Sequence, residues 1–171
     1  MSDERRNEII ELLQTADTPI TGSELAQRFD ISRQVIVQDI AVLRASGYNV
    51  MASSNGYFLP KKKSNNTIIK TIVSSHTGTR DMKDELMLIV GYGCKVIDVI
   101  VEHPIFGEIV AQLMIGTEEE VHQYIEKVEK HNASPLSSLT EGHHIHTIEV
   151  PSEKVYTALV DDLKKRGFID A

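Results

Sequence analysis

The sequence predicts an α+β protein of two domains, and three observations point to it. Helical spacing of apolar residues dominates the first part of the chain, whereas the later part mixes helical segments with alternating, strand-like ones. The stretch PKKKSNNT, residues 60–67, contains no apolar residue and separates the two parts. Residues 1–63 carry 8 basic and 8 acidic side chains, whereas residues 64–171 carry 10 and 17. Such charge asymmetry predicts two domains with different partners.

Composition narrows the class of protein further. The chain has 171 residues, 41% of them hydrophobic and 25% charged, which is ordinary for folded globular proteins. No apolar run approaches the length of a bilayer span, and MSDERRNEII lacks the apolar core of a signal peptide. We therefore expect a cytoplasmic protein without membrane contact. The one cysteine, Cys94, excludes an internal disulfide and any multi-cysteine zinc site, and we expect it to be a small buried hydrophobic residue.

The first domain, predicted over residues 1–60, opens with three helices. The first lies in DERRNEIIELLQTAD and begins at Ser2 or Asp3. The second begins after Thr21, which has Glu24 three residues later as in a capping box, and the third begins after Ser32. The connection between the second and third helices, DIS, has the length of a helix-turn-helix corner.

A hairpin is predicted after the third helix. Gly47 ends that helix, and YNVMASSNGYFLP then reads as two strands joined by a turn at Asn55–Gly56. Three helices and a hairpin make a winged helix. Residues 4–60 resemble the biotin-repressor-type winged helix-turn-helix family, in which a Ser-Arg helix opening, a later LR..G and a hairpin with GY.L recur. The resemblance implies a partner of double-stranded operator DNA.

The third helix and the hairpin carry side chains suited to DNA. Residues able to reach base edges in the major groove lie near the start of the helix: Arg33, Gln34 and Gln38. Residues suited to the phosphate backbone lie at the helix start, near its end and at the hairpin tip: Ser32, Arg44 and Asn55. The alternative is an ordinary solvated helix face. A net charge of zero in this region implies reliance on a dimer and on local basic residues.

The second domain is predicted over residues 67–171, after a linker at 61–66. Its strands are expected over residues 67–76, 95–104, 107–115 and 143–150, and its helices over 79–93, 117–132 and 152–167. A sheet with helices against it makes an α+β domain. The sequence contains neither a Gly-rich phosphate loop nor a nucleophile elbow.

The stretch EGHHIHTIEV places three histidines within four residues. On a strand, His144 and His146 point to one side of the sheet and His143 to the other. His76 ends the first strand of this domain, and Glu85 lies on the helix that follows. Three imidazoles and a carboxylate suit zinc, nickel, iron or manganese, and ligand type alone does not choose among them. A histidine-rich turn in solvent, or a hydrogen-bonded core histidine, is the alternative.

These features resemble the 3H-domain transcription regulators, the niacin-responsive repressors of the NiaR type. The resemblance rests on a winged helix followed by a histidine, VIVEHPIFGEI and HHIHTIE, and it spans essentially the whole chain. It implies an HPr-like α+β second domain, a homodimer, one divalent transition metal per subunit and nicotinic acid as corepressor for genes of niacin uptake or NAD biosynthesis. By motif match the metal ligands are His76, Glu85, His144 and His146, with Asp84 as the alternative carboxylate.

A pocket for the effector is also expected in this domain. His103 in EHPIFG is expected in this pocket or beside a metal ligand, and not as a ligand itself. The carboxylate of nicotinate could occupy an open metal position or bind Arg80 or lysine side chains, while its ring lies over Phe106 or Tyr92. Two alternatives use the same residues: a repressor that senses the metal itself, and a hydrolase in which the metal activates water. No obvious general base besides Glu85 or Glu102 accompanies the histidines, so a regulator is predicted and not an enzyme.

Overall fold

The computed structural model of the protein describes residues 2–61 and 67–170, and it divides the chain into two compact units, Met1–Lys62 and Lys63–Ala171. The predicted linker at 61–66 lies outside the described residues except for Lys61. The first unit is helical with a short hairpin, and the second combines one sheet with helices. Among the described residues, no helix has the length and apolar character needed to cross a membrane.

The first unit has the predicted order of three helices and a hairpin. Its elements are α1 (Ser2–Thr15), α2 (Gly22–Arg28), α3 (Arg33–Ala45), β1 (Met51–Ser53) and β2 (Gly56–Phe58). Thr21 and Glu24 form a capping box at the start of α2, and Ser32 caps α3 by accepting from the Val35 N–H. A core of Ile9, Leu13, Leu25, Ile36, Ile40 and Leu43 holds the three helices together.

An ion pair links α1 to α3 at the edge of this core. Asp39 exposes 4% of its side chain and receives Arg5 Nε at 2.7 Å and Arg6 Nη1 at 3.2 Å. The contact with Asp39 raises the pKa of Arg5. Both arginines therefore serve the fold of the unit, a role that no local sequence signal predicts.

The hairpin turn differs by one residue from the prediction. Ser54 and Asn55 form the turn, and Gly56 begins β2. Gly56 has a φ of 125°, and a Cβ there would lie 2.5 Å from the Ile20 carbonyl. The missing side chain lets Ile20 and Tyr57 exchange backbone hydrogen bonds of 2.9 and 2.8 Å. Glycine is required here by a close approach of two backbones as well as by the hairpin.

The second unit is an antiparallel sheet with helices on one face. Its elements are β3 (Ile68–Ser75), α4 (Thr79–Gly91), β4 (Lys95–His103), β5 (Gly107–Ile115), α5 (Glu118–Lys130), a 3₁₀ helix (Leu136–Thr140), β6 (His143–Val150) and α6 (Glu153–Lys165). The strand order is β3-β6-β4-β5, so the last strand lies between the first two. All these helices and strands were predicted except the short 3₁₀ helix.

Burial alternates along the central strand β6. His144, His146, Ile148 and Val150 are buried, while the residues between them are not. The buried side chains of α4, α5 and α6 form one apolar core with those of the sheet. The two histidines therefore lie inside the unit, between the sheet and its helices, and His143 faces the other way as the alternation predicted.

Candidate metal centre and nucleic-acid surface

Three imidazoles surround the carboxylate of Glu85 in the interior of the second unit. Glu85 is fully buried in the middle of α4, and its Oε2 atom is the point of convergence. This atom lies 2.5 Å from His76 Nε2, 3.1 Å from His144 Nε2 and 3.4 Å from His146 Nε2. The three histidine side chains expose 6%, 3% and 5% of their surfaces. The end of β3, one helix and β6 thus bring together four potential metal ligands.

In two of these histidines the second ring nitrogen, Nδ1, is hydrogen-bonded to a backbone carbonyl. His144 Nδ1 lies 2.8 Å from the Gly142 carbonyl, and His146 Nδ1 lies 2.8 Å from the Asp98 carbonyl. A carbonyl only accepts, so each Nδ1 carries a proton and each neutral ring presents a lone pair on Nε2. These lone pairs point at a carboxylate oxygen, which also only accepts. Such an arrangement needs a cation, supplied either by a metal or by additional protons on the imidazoles.

The pKa values of Glu85 and His146 are shifted in the directions that favour an ionised carboxylate and a cationic neighbour. Burial by itself raises the pKa of Glu85, but hydrogen bonds from His144, His146 and His76, which those rings donate when they carry a second proton, outweigh burial and hold that pKa well below its usual range. Burial lowers the pKa of His146, and its contact with Glu85 outweighs burial, so the pKa lies above its ordinary value. The carboxylate is ionised at neutral pH, and its surroundings favour a cation.

Two further atoms bear on whether this set fits a metal. The Ser74 hydroxyl donates to Oε1, the other carboxylate oxygen of Glu85, and so leaves Oε2 to the cluster. His76 Nδ1 is buried and has no hydrogen-bond partner among the described residues. An unpartnered buried nitrogen is rare in a closed core. Three nitrogens and one oxygen, oriented by outer hydrogen bonds, fit a divalent transition metal. Sequence reasoning missed Ser74, although it shares a strand face with His76 by the two-residue spacing.

The structure chooses between the two acidic residues considered for this cluster. Asp84 is exposed on α4, whereas Glu85 is buried among the histidines. His76, Glu85 and His144 place their ligand atoms within 4.8 Å of one another. The carboxylate of the cluster is therefore that of Glu85.

The space beside the cluster is small. A cavity of about 20 Å³ is lined by the three histidines together with Tyr124 and Leu113. That volume holds one water-sized occupant. A pyridine ring is larger, so this cavity accommodates an ion or a water but not nicotinate without rearrangement.

The four residues expected at the effector pocket are not brought together. Arg80 lies in the first turn of α4, and Tyr92 follows its last residue, twelve positions later. This spacing corresponds to about 18 Å along a helix axis. The Tyr92 hydroxyl instead donates to Asp162 Oδ2 at 3.2 Å. His103 and Phe106 do meet, with stacked rings 4.8 Å apart, and Phe106 is 74% exposed. Tyr92 and Arg80 therefore lie too far apart to line the same small pocket.

The start of α3 presents the residues expected to contact bases. Arg33, Gln34 and Gln38 are all exposed there. The Ser32 oxygen accepts from the Val35 N–H at 3.3 Å, which leaves its hydroxyl proton available to a phosphate. This surface has the composition of a recognition helix.

The two remaining candidates for phosphate contact lie near the end of α3 and at the hairpin tip. Arg44 Nε donates to the Val50 carbonyl at 2.7 Å, which ties α3 to the segment leading into the hairpin. Its terminal nitrogens extend beyond that bond. The Asn55 N–H donates to Ser53 Oγ at 3.1 Å and fixes the tip of the turn. Arg44 is exposed on α3, whereas Asn55 is half-buried at the tip of the hairpin.

A winged helix joined to a unit that buries a histidine and carboxylate cluster defines a two-domain DNA-binding regulator. Family models for an HTH domain and a 3H domain match residues 5–58 and 69–170. The chain is 40% identical over 166 residues to "Probable transcription repressor NiaR" of Thermotoga maritima, covering 97% of this chain and 93% of that protein. It is 36% identical over 170 residues to "Transcription repressor NadR" of Bacillus subtilis, covering 99% and 94%. The chain belongs to the 3H-domain family of winged-helix transcription repressors.

Family membership confirms three of the predictions. The fold class is α+β, with a helix-turn-helix domain before a 3H domain. The resemblance to NiaR-type repressors holds over nearly the full length of the chain. Both relatives are named transcription repressors, which places this chain among DNA-binding regulators and not among enzymes.

Proposed function

We propose that this chain is a homodimeric repressor of genes for niacin uptake or NAD biosynthesis, with nicotinic acid as corepressor and one divalent transition metal per subunit. The observation that carries the proposal is the convergence of three buried imidazoles on Glu85 in a unit joined to a winged helix. The match to NiaR and NadR repressors supports the regulatory part.

The chain's own residues would prepare the site for the metal. His76, His144 and His146 would bind through Nε2 and Glu85 through Oε2, since those atoms already face one another. Backbone carbonyls hold two of the imidazoles in the required tautomer, and the Ser74 hydroxyl holds the carboxylate. A bound cation would supply fixed positive charge and a Lewis-acidic position for a carboxylate, and nicotinate would reach it only if the small cavity beside the cluster widened. Zinc, nickel, iron and manganese all suit this donor set.

The DNA-binding part requires two copies of the winged helix. In each copy Arg33, Gln34 and Gln38 would face base edges, and Ser32 with Arg44 would hold phosphates. A dimer with one recognition helix per subunit binds half-sites separated by about 10 base pairs or a multiple of that distance. The proposed operator is therefore roughly palindromic.

Substitution of the histidines of β6 tests metal binding and the response to nicotinate together. Metal content by elemental analysis and operator affinity with and without nicotinate are measured for wild type, His144→Ala, His146→Ala and His143→Ala. The first two variants should lose metal and the nicotinate response, while operator affinity without nicotinate persists. His143→Ala, on the same strand but the opposite face, is the matched control and should retain both. The response in wild type should be about 5- to 150-fold in operator affinity, the usual size for coupled sites.

Two results would contradict this assignment. Loss of metal in His143→Ala with retention in His146→Ala would place the ligands on the other face of the strand. An unchanged nicotinate response in every variant would show that the cluster is not the switch.

The recognition helix is tested by comparing two arginines. Arg33→Ala should weaken operator binding by about 1–3 kcal/mol and relax the preference at one base pair, because a base contact is lost. Arg44→Ala should weaken operator and random DNA alike, because a phosphate contact carries no sequence information. Titrations of both DNAs separate the two effects, and equal losses from both substitutions would remove Arg33 from base recognition.

A second candidate is a repressor that senses the metal itself. The small cavity beside the cluster favours it, since about 20 Å³ admits an ion but not a pyridine ring. Operator titrations with metal alone, nicotinate alone and both together distinguish the candidates. A full response to metal without nicotinate identifies the metal sensor.

A further inference from the structure

One face of the sheet in the second unit is left open by the helices of that unit. The core side chains of α4, α5 and α6 all pack on the face that holds the buried histidines. The opposite face carries Ile69, Val73 and Val110, which expose 46%, 65% and 47% of their surfaces. Large apolar side chains exposed this far on one sheet face mark an interaction surface when they are contiguous.

The apolar side chains on this face are contiguous because the strand register aligns them. Val73 of β3 pairs with Ile145 of β6, Ile145 pairs with Ile100 of β4, and Ile100 pairs with Val110 of β5. This apolar row crosses all four strands. Leu139, 50% exposed, borders the concave part of the face near Val73, Ile100 and Ile145.

Polar side chains flank the apolar row on both sides. His143 and Glu102 lie toward the ends of β6 and β4 that adjoin the histidine cluster, and both border the concave part of the face. Thr71, Thr147 and Gln112 lie on the other side of the row. An apolar centre with a polar rim is the usual anatomy of a protein interface.

We propose that a second copy of this chain covers the apolar row, with a two-fold axis parallel to the strands that passes between β6 and β4. The inference rests on the homodimer of the proposed function and assigns its contact surface. Rotation about this axis lays β3 over β5 of the other copy, and β6 over β4. Val73 then meets Val110 of the partner subunit, and Ile145 meets the partner's Ile100. Each contact occurs twice, as two-fold symmetry requires.

The polar rim selects this axis. Under the same rotation His143 comes opposite Glu102 of the partner subunit, where an imidazole N–H can donate to a carboxylate in either protonation state of the ring. A two-fold axis along the apolar row would instead bring Glu102 near Asp98 of the partner subunit. Two carboxylates facing each other repel, so the arrangement parallel to the strands is the complementary one.

The open face is large enough for a specific dimer. Four strands about 4.8 Å apart, each about eight residues long at about 3.3 Å per residue, present about 500 Å². Two copies would bury about 1,000 Å², the size at which specific interfaces begin.

Cysteine cross-linking of the full chain tests the axis. In the Val73→Cys/Val110→Cys variant, the thiol at position 73 of one copy should lie opposite the thiol at position 110 of the other copy. A thiol-specific cross-linker that spans about 10 Å, the separation of stacked sheets, should then give at least about tenfold more covalent dimer than with Val73→Cys or Val110→Cys alone. In each single variant the thiol lies more than about 14 Å from the same thiol of the other copy. A link within one chain is excluded because β3 and β5 are the two edges of the sheet. Cys94 stays unreactive because it is buried and burial raises its pKa to about 11.

Charge insertion tests the surface independently of thiol chemistry. Val73→Lys/Val110→Lys should raise the dimer dissociation constant at least about 100-fold, because like charges would meet across the interface. Both side chains are exposed in the single copy, so the lysines should leave its circular dichroism unchanged. Gln123→Lys, exposed on α5, is the matched control and should dimerise as wild type does in sedimentation equilibrium.

Each contrary result has a distinct meaning. A wild-type chain that stays monomeric, or a lysine variant that dimerises normally, overturns the assigned surface. Equally strong cross-linking of Val73→Cys alone overturns the axis. If the chain is a monomer and its β3 and β5 amides are nevertheless protected from hydrogen exchange, another part of the same chain covers the open face. A dimer that binds operator without this cross-link refutes only the interface, whereas a cross-linked dimer that does not bind operator refutes only the proposed function.

Discussion

Each unit buries one carboxylate on a helix, Asp39 on α3 and Glu85 on α4, but their partners differ. Asp39 receives the guanidinium groups of Arg5 and Arg6 at 2.7 and 3.2 Å, and both are cationic donors. Glu85 faces three imidazoles, and two of these rings donate their Nδ1–H to a backbone carbonyl. The charge of Asp39 is matched by permanent cations of the chain, whereas that of Glu85 is matched only if a metal binds or the imidazoles take up additional protons.

The contrast separates a structural carboxylate from one at a binding site. A buried charge whose partners supply both opposite charge and hydrogen bonds is satisfied within the fold and needs no ligand, although removing its carboxylate leaves the partner charges unpaired. A buried carboxylate whose other oxygen faces imidazole lone pairs still lacks positive charge, which marks it as a candidate binding site. The Asp39 ion pair is therefore complete without a ligand, while the stability of the second unit should depend on what occupies its cluster.

Metal removal should show the largest difference between the units. If metal is present at about 1,000 times its dissociation constant, binding stabilises the unit that holds it by about 4 kcal/mol. A chelator should therefore lower the hydrogen-exchange protection of β3, α4 and β6 and leave α1, α2 and α3 unchanged. Mass spectrometry of exchanged peptides measures both units at once. Equal losses in the two units, or none, would contradict the contrast.

Removal of the structural carboxylate should have the next largest effect. Asp39→Ala should lower the free energy of unfolding by about 3 kcal/mol, at the low end for a broken buried ion pair. The cost stays low because Arg5 and Arg6 keep 21% and 20% of their side chains exposed and can turn to water. Urea denaturation measures this loss, and metal content should not change. Glu11→Ala, exposed on α1, is the control and should change stability by less than about 0.5 kcal/mol.

Loss of the hydrogen bond from the Ser74 hydroxyl to Glu85 should have a smaller effect, and only on metal affinity. Ser74→Ala should weaken metal binding by about 10- to 100-fold, the usual result of removing a group that orients a ligand. Competition with a chelator measures the change. Ser75→Ala, the next residue on the opposite strand face, should bind metal normally. An equal effect from both substitutions would mean that the strand and not the hydroxyl is responsible.

Local chemistry in the sequence was sufficient for most elements of the fold. The pairs Thr21 with Glu24 and Ser32 with Val35 lie within three residues, so their capping is readable without a structure. The two-residue period of a strand likewise separated His143 from His144 correctly. The turn at Gly56 was misplaced by one residue because the backbone that approaches it, at Ile20, lies far away in the chain.

The sequence by itself determined the order of the elements, the faces of β6 and the residue types at the cluster, because these depend on neighbours a few positions apart. Only the tertiary structure decided which distant groups meet. The strand order β3-β6-β4-β5 brings Ser74 and His144 to the same carboxylate, and the length of α4 carries Tyr92 away from Arg80. The helices cover one face of the sheet and leave the apolar row on the other exposed. Contacts of this kind arise from chain packing over long separations, for which single residues carry no local signal.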